Sequence, residues 1–186
     1  MPHDTDEPDR TGQRAGDESY VDSYEDVSRF TLSGDRESAL LDRQTECTFM
    51  WTTSAGDPVG VVMNFVHHDD AFWVTCTRRR KRVAAIEARP RVAVAVSSRG
   101  TDIGVSQAVT YKGAATVLDD RETLDWMYRA LAAKVRPGDP AAQDAFVAHL
   151  DTPGRVVVRI DPDTRIGFDA EAMFADSPAG PSRTQV

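Results

Sequence analysis

Alternating apolar and polar positions dominate the middle of the chain and predict β-strands. In residues 71–77, Phe72, Val74 and Cys76 fall on one face of an extended segment and the residues between them on the other, because successive strand side chains point to opposite sides. Enrichment in β-branched and aromatic residues predicts further strands at residues 45–53, 59–67, 91–98, 106–118, 154–161 and 165–169. Turn-forming residues such as those at 54–58 separate them.

Helical periodicity is confined to a few shorter segments. Residues 121–135 carry an apolar stripe that begins with Leu124 and Met127, and Pro137 and Gly138 end it. Further helices are predicted at residues 35–44, directly after Thr77, and at 141–150. Strands outnumber helices and short turns connect them, so the pattern predicts a mainly β, α+β fold in which six to seven antiparallel strands form a small barrel with peripheral helices.

The two ends of the chain differ in composition from the body. Residues 1–28 are polar and acidic and are expected to be disordered, because they bury too little apolar surface to offset their ordering entropy. Residues 176–186 contain Pro178, Gly180 and Pro181 and are expected to form a flexible tail. The folded domain is therefore predicted to span residues 29–175, a size at which one compact core is expected.

Charge and cysteine content narrow the class of partner. The formal net charge of −8 argues against nucleic acid or an anionic membrane as a partner. The first residues lack the basic and apolar regions of a signal peptide, so a cytoplasmic protein is expected. Cys47 and Cys76 lie far apart without a metal-binding spacing, which favours two buried thiols over a disulfide or a metal site.

A basic run from Arg78 to Arg82 stands out in this acidic chain, because it follows a hydroxyl-bearing strand and opens a predicted helix. The first N–H groups of a helix lack intrahelical acceptors and the helix dipole is positive there, so an anion is favoured at this point. Basic side chains at a helix start are unfavourable for the helix itself, which suggests that a negative group offsets them. The alternative is a solvated charged surface.

Other chemical signatures are weak. His67, His68, Asp69 and Asp70 resemble metal ligands in type, but a polar hairpin turn explains them better. The sequence contains no serine-nucleophile motif, no HExxH and no glycine-rich nucleotide loop. Any chemistry is therefore expected to come from a bound cofactor.

The order of motifs from Thr48 to Val117 resembles the flavin-binding split-barrel family typified by pyridoxamine 5'-phosphate oxidase. The matching elements are a strand at 48–53, the turn Gly56-Asp57-Pro58, a strand at 59–65, an aromatic strand ending at Thr75, the pair Arg80-Lys81, a helix closed by Arg89-Pro90, a valine-rich strand, and a strand containing Gly113 and Val117. The resemblance implies a split β-barrel and a homodimer with two cofactor sites at its interface. It implies that Thr75, Arg80 and Lys81 hold the cofactor phosphate, that Val61, Val62, Met63 and Asn64 line the isoalloxazine ring, and that Gln107 is contributed by the partner subunit.

The same resemblance implies an oxidoreductase that transfers hydride to or from a small organic substrate, with FMN as the expected cofactor. Coenzyme F-420, a deazaflavin used by a related group, is the alternative, because its phosphate and polyglutamate tail suit the additional charges of Arg78, Arg79 and Arg82. The tryptophan and arginine residues that bind the vitamin substrate in the true oxidases are missing after Gly167, so oxidation of pyridoxamine phosphate is not expected. A non-catalytic cofactor-binding or sequestering protein remains the second possibility, and haem binding the third.

Overall fold

The computed structural model describes residues 29–175. The expected disordered segment 1–28 and flexible tail 176–186 lie outside the described residues. The helices are α1 Gly34–Arg43, α2 Lys81–Ala88, α3 Arg121–Val135, α4 Pro140–Leu150 and α5 Ala170–Met173. The strands are β1 Glu46–Thr52, β2 Pro58–Asn64, β3 Val66–His68, β4 Ala71–Thr77, β5 Arg91–Ser97, β6 Gln107–Leu118 and β7 Arg155–Asp169.

The strands form one seven-stranded sheet in the order β2-β1-β5-β6-β7-β4-β3, and every neighbouring pair is antiparallel. The sheet curls around a core that contains the fully buried Phe49, Phe72, Val94 and Ile160. This architecture confirms the predicted mainly β fold of six to seven antiparallel strands with helices at its periphery.

A second apolar layer lies on the other side of β4 and β7. Met127, Tyr128 and Leu131 of α3 pack there against Trp73 and Val157. Strand β4 is therefore buried on both faces along its first half, and only its last residues approach the surface. The α3 boundaries match the prediction, with the Asp120 side chain accepting a hydrogen bond from the Thr123 N–H as the N-cap.

Two strand predictions were wrong in detail. The segment predicted as one strand at 59–67 is divided into β2 and β3 at the buried Phe65. The two strands predicted at 154–161 and 165–169 are one strand, β7, which continues through Pro162. Proline has no N–H for the ladder, and the pairing shifts register beside it: Lys112 and Gly113 of β6 pair with Thr164 and Pro162, so a bulge leaves Asp163 of β7 unpaired.

The interpretation of the cysteines is confirmed, and that of the polar turn is confirmed for Asp69 and Asp70, whereas His67 and His68 are the last residues of β3. Cys47 and Cys76 are buried free thiols. Asp69 and Asp70 have φ values of 50° and 56° and form the turn between β3 and β4. Within the part of the chain that the structure describes, no helix is long and apolar enough to span a membrane.

Candidate functional site

The basic run occupies the loop between β4 and the start of α2, and its first member is already paired. Arg78 Nη1 lies 3.0 Å from Glu87 Oε1, and its Nη2 lies 2.7 Å from Asp119 Oδ2. These two carboxylates come from the far end of α2 and from the residue after β6. Arg78 therefore anchors the loop through two ion pairs. The two carboxylates neutralise its charge, so it contributes little to binding an anionic ligand.

The last member of the run, Arg82, connects α2 to strands β1 and β2. Its Nη1 lies 2.7 Å from the Met63 sulfur, and its guanidinium lies 5.3 Å from the centroid of the Trp51 ring. A cation over an indole face is a favourable arrangement. Arg82 thus brings Met63, one of the residues predicted to line a ring, to the beginning of the helix.

The three basic residues between them are exposed and free. Among residues 29–175, no side chain or carboxylate pairs with Arg79, Arg80 or Lys81. Arg80 is the N-cap residue of α2 but its side chain makes no cap hydrogen bond, and the first turn has no acidic residue. Three uncompensated cations therefore stand at the start of α2, where the first N–H groups have no intrahelical acceptors.

Two threonines on β4 lie beside this positive centre. The Thr75 hydroxyl donates to the Val156 carbonyl oxygen at 2.8 Å, so its single hydrogen reaches a phosphate only after rotation away from that oxygen. Thr77 is nearer to the loop, and its hydroxyl has no hydrogen-bond partner among the described residues. The Thr77 hydroxyl is therefore free to donate to a ligand at this loop, and the sequence prediction named Thr75 alone.

Residues of β2 alternate between the two faces of the sheet. Val61 and Met63 pair with Phe49 and Cys47 on the core side, whereas Val62 is 65% exposed on the outer side. Asn64 donates from Nδ2 to the Thr45 carbonyl oxygen at 3.2 Å. These four predicted ring contacts therefore cannot all present side chains to one ligand, although the β2 backbone can serve both faces.

A groove of about 350 Å³ opens between the β1–β2 hairpin and α2. Trp51 and the side of α2 that carries Lys81, Ala84 and Ala88 line it. An indole wall opposite alanines suits a flat aromatic ring, and Lys81 places a free charge at the same groove. A planar cofactor with a phosphate therefore fits the chemistry of this region.

A family model described as pyridoxamine 5'-phosphate oxidase matches residues 37–166, more than half of the chain. The chain belongs to the pyridoxamine 5'-phosphate oxidase family. The family match confirms the resemblance drawn from the motifs between Thr48 and Val117. No curated protein matches the sequence.

Solved structures share the fold of this pyridoxamine 5'-phosphate oxidase family member at low sequence identity. The conserved protein Rv2991 from Mycobacterium tuberculosis has a TM-score of 0.67 and 16% identity over 77% of this chain and 89% of its own. An FAD-binding protein from Mesorhizobium loti has a TM-score of 0.56 and 22% identity over 75% and 96%. A protein described as F-420 reductase has a TM-score of 0.52 and 19% identity over 69% and 94%.

The remaining predicted contact of the family pattern, Gln107, lies apart from the basic loop. Gln107 is the first residue of β6. The opposite end of that strand lies near the loop, because Leu118 pairs with Val157, the cross-strand neighbour of Thr75. Gln107 is 4% exposed, and its side-chain amide lies against Arg36; with the amide oriented to place its oxygen there, the oxygen accepts from Arg36 Nε and Nη2 at 2.9 and 2.7 Å. One subunit therefore does not bring Gln107 together with Arg80 and Lys81.

The thiol beneath the family's predicted phosphate site is not poised for reaction. Burial raises the pKa of Cys76, and the nearby Arg82, Arg155 and Arg80 only partly oppose that effect. The thiolate is the reactive form of cysteine. Cys76 therefore serves as a packing residue in a buried cluster with Val83 and Val156.

Proposed function

We propose that this protein is a flavin- or deazaflavin-dependent oxidoreductase that transfers hydride to or from a small organic substrate. The observation that carries the proposal is the set of three free cations, Arg79, Arg80 and Lys81, at the uncapped start of α2. These three cations have no protein counter-ion, although the chain as a whole is acidic, with a formal net charge of −8. A phosphate-bearing cofactor supplies the missing negative charge.

The cofactor supplies the hydride chemistry when it is bound, and the protein supplies orientation and electrostatics. In this proposal Arg80 and Lys81 hold the phosphate, with the hydroxyl of Thr77 or Thr75 as an additional donor. Trp51 and Met63, joined through Arg82, limit the space beside the phosphate. One phosphate is common to FMN and coenzyme F-420, so this part of the site accepts either. Both cysteines are buried free thiols, which supports the cytoplasm as the proposed compartment.

Turnover with an organic acceptor tests the proposed activity. Protein reconstituted with reduced FMN or reduced F-420 is expected to transfer hydride to a conjugated carbonyl or a quinone, and to leave pyridoxamine phosphate unoxidised. Stopped-flow reoxidation is measured across a panel of acceptors. Rates no faster than those of the free cofactor would favour the alternative, a carrier that binds the cofactor without turning it over.

The double variant Arg80→Ala/Lys81→Ala is expected to raise the cofactor dissociation constant at least about tenfold, equivalent to about 1.4 kcal/mol. The reason is the loss of two charge-assisted contacts to phosphate, which are roughly twice as strong as neutral hydrogen bonds. Fluorescence titration measures the change. The apo melting temperature should not fall, because cations at a helix start are unfavourable to the helix.

A matched control removes the same total charge elsewhere. Arg99 and Arg129 are exposed and their side chains have no partners within residues 29–175, so Arg99→Ala/Arg129→Ala changes net charge equally without touching the loop. This control is expected to keep the wild-type affinity. Equal weakening in both double variants would show a general field effect and would remove the phosphate role from Arg80 and Lys81.

We further propose that two copies of the chain form the working unit. A single cross-strand row, Val62–Thr48–Ala95–Thr110–Ile166, crosses five strands on the outer face of the sheet. The row has no charged residue, and its two ends, Val62 and Ile166, are 65% and 57% exposed. Like-charged chains associate most readily through uncharged surface, which supports a second copy as the partner.

A further inference from the structure

A second pocket lies beside the basic loop, with Arg78 in its lining, and shares no lining residue with the Trp51 groove. It has a volume of about 490 Å³, and its lining includes Tyr128, three arginines and two carboxylates: Arg78, Arg121, Arg155, Asp119 and Asp151. The loop before β7 forms one wall, and the Arg78 N–H donates to the Gly154 carbonyl oxygen at 2.7 Å. The pocket thus adjoins the loop that carries the proposed phosphate site.

The hydroxyl of Tyr128 in this pocket has no partner. Tyr128 is fully buried in α3, and its hydroxyl oxygen is the buried side-chain atom of the described residues without a hydrogen bond. The charged groups around that hydroxyl are Asp151, Arg155, Arg121 and Asp125. Burial is the largest cause of its raised pKa, so the phenol stays protonated at neutral pH and can donate. Buried polar groups are nearly always paired, and this one needs an acceptor.

Arg155 supplies a charge that the protein does not balance. Its Nε donates to the Leu150 carbonyl oxygen at 2.9 Å and its Nη2 to Thr152 Oγ1 at 3.4 Å, and both acceptors are neutral. Among the described residues no carboxylate pairs with it, whereas the neighbouring Arg121 is paired with Asp125 and Asp151. A guanidinium without a counter-ion and a phenol without an acceptor therefore line the same pocket.

Arg155 and Arg80 of the proposed phosphate site are close enough to contact one extended ligand. Arg155 is the cross-strand neighbour of Thr77, and Arg80 follows Thr77 by three positions in the sequence. A cross-strand pair spans at most about 5.5 Å and an extended residue about 3.6 Å, so the two Cα atoms lie no more than about 16 Å apart. Two long arginine side chains can contact a single extended ligand across that separation.

We propose that this pocket is a second anion subsite, in which Arg155 and the Tyr128 hydroxyl bind an anionic group that the cofactor carries beyond its first phosphate. The inference rests on the proposed function and deepens it. FMN ends at one phosphate, whereas FAD carries a second phosphate and F-420 carries carboxylates. The site therefore prefers an extended cofactor to FMN.

Comparative titration of the full chain tests the preference. Apo protein is titrated with FMN, FAD and F-420, and at least one extended cofactor is expected to bind about tenfold more tightly than FMN, as one charge-assisted hydrogen bond allows. Tyr128→Phe should weaken that cofactor about three- to tenfold and leave FMN unchanged. The FAD and F-420 arms identify whether phosphate or carboxylate is the group bound.

Two controls keep the result interpretable. Tyr111→Phe makes the same chemical change at a tyrosine whose hydroxyl donates to Glu37 in a different pocket, and it should leave the ratio of cofactor affinities unchanged. The apo melting temperature of Tyr128→Phe should not fall, because the removed oxygen has no partner.

Four outcomes would overturn the inference. Equal affinity for FMN, FAD and F-420 in the wild type, or equal weakening of all three by Tyr128→Phe, would remove the subsite and leave the proposed function intact. A lower apo melting temperature in Tyr128→Phe would assign the hydroxyl a structural partner instead. Binding of none of the three cofactors would contradict the proposed function as well.

Discussion

Gly113→Ala is expected to lower the melting temperature by roughly 6–12 °C, from a loss of about 3 kcal/mol in unfolding free energy. A Cβ atom at this position would lie 2.1 Å from the Asp161 carbonyl oxygen and 2.8 Å from Pro162 Cα. Both are backbone atoms of β7, so no side-chain rotation relieves the overlap. The β6–β7 ladder is the longest strand pairing in the sheet, and it would have to open at the register shift to admit the Cβ atom.

Gly34→Ala provides a control of opposite sign. A Cβ atom at Gly34, the first residue of α1, would have no heavy atom within 4 Å. Alanine at a compatible position stabilises by about 0.4–1 kcal/mol, because it restricts the unfolded chain. Differential scanning calorimetry of both variants measures the two changes. A Gly113→Ala protein that melts with the wild type would show that β7 does not approach β6 as closely as described.

The same bulge shows where sequence reasoning reached its limit for the fold. Segments with strong local signals were predicted well, as α3 shows between its Asp120 cap and the break at Pro137. The sequence predicted two strands separated by residues 162–164, yet β7 passes through Pro162, because a bulge that leaves Asp163 unpaired follows the proline. Gly113 was part of a predicted strand, but its pairing with Pro162 was not visible in the sequence.

In the candidate site, too, the features set by local sequence were predicted and those set by distant residues were not. The sequence located the basic run at a helix start, since strand alternation and helix dipole are local properties. It did not separate the free cations from the paired ones. That separation depends on Glu87, Asp119 and Met63, which the fold brings to Arg78 and Arg82 from three different elements. The Thr75 hydroxyl bond to Val156 and the unpaired Tyr128 hydroxyl likewise depend on neighbours distant in sequence.

Thr110→Asp is expected to raise the dissociation constant of the proposed homodimer at least about a hundredfold, equivalent to about 2.7 kcal/mol. Thr110 is the β6 member of the uncharged row, between Ala95 and Ile166. In an interface with two-fold symmetry each substitution appears twice, so two carboxylates would be desolvated in one contact. The monomer should keep its fold, because Thr110 faces outward and is only partly buried.

Thr116→Asp makes the same change on the same face of β6 outside the row. Thr116 is exposed and pairs across the ladder with Arg159, so the added carboxylate is solvated beside a cation and should leave the dimer intact. Sedimentation velocity at micromolar concentration compares the two variants with the wild type, with and without cofactor. If the outer face completes the cofactor site, Thr110→Asp should also weaken cofactor binding, because Val62 belongs to both the row and the predicted ring contacts. A cofactor-bound wild type that sediments as a monomer, or a Thr110→Asp protein that stays dimeric, would exclude this face as the interface.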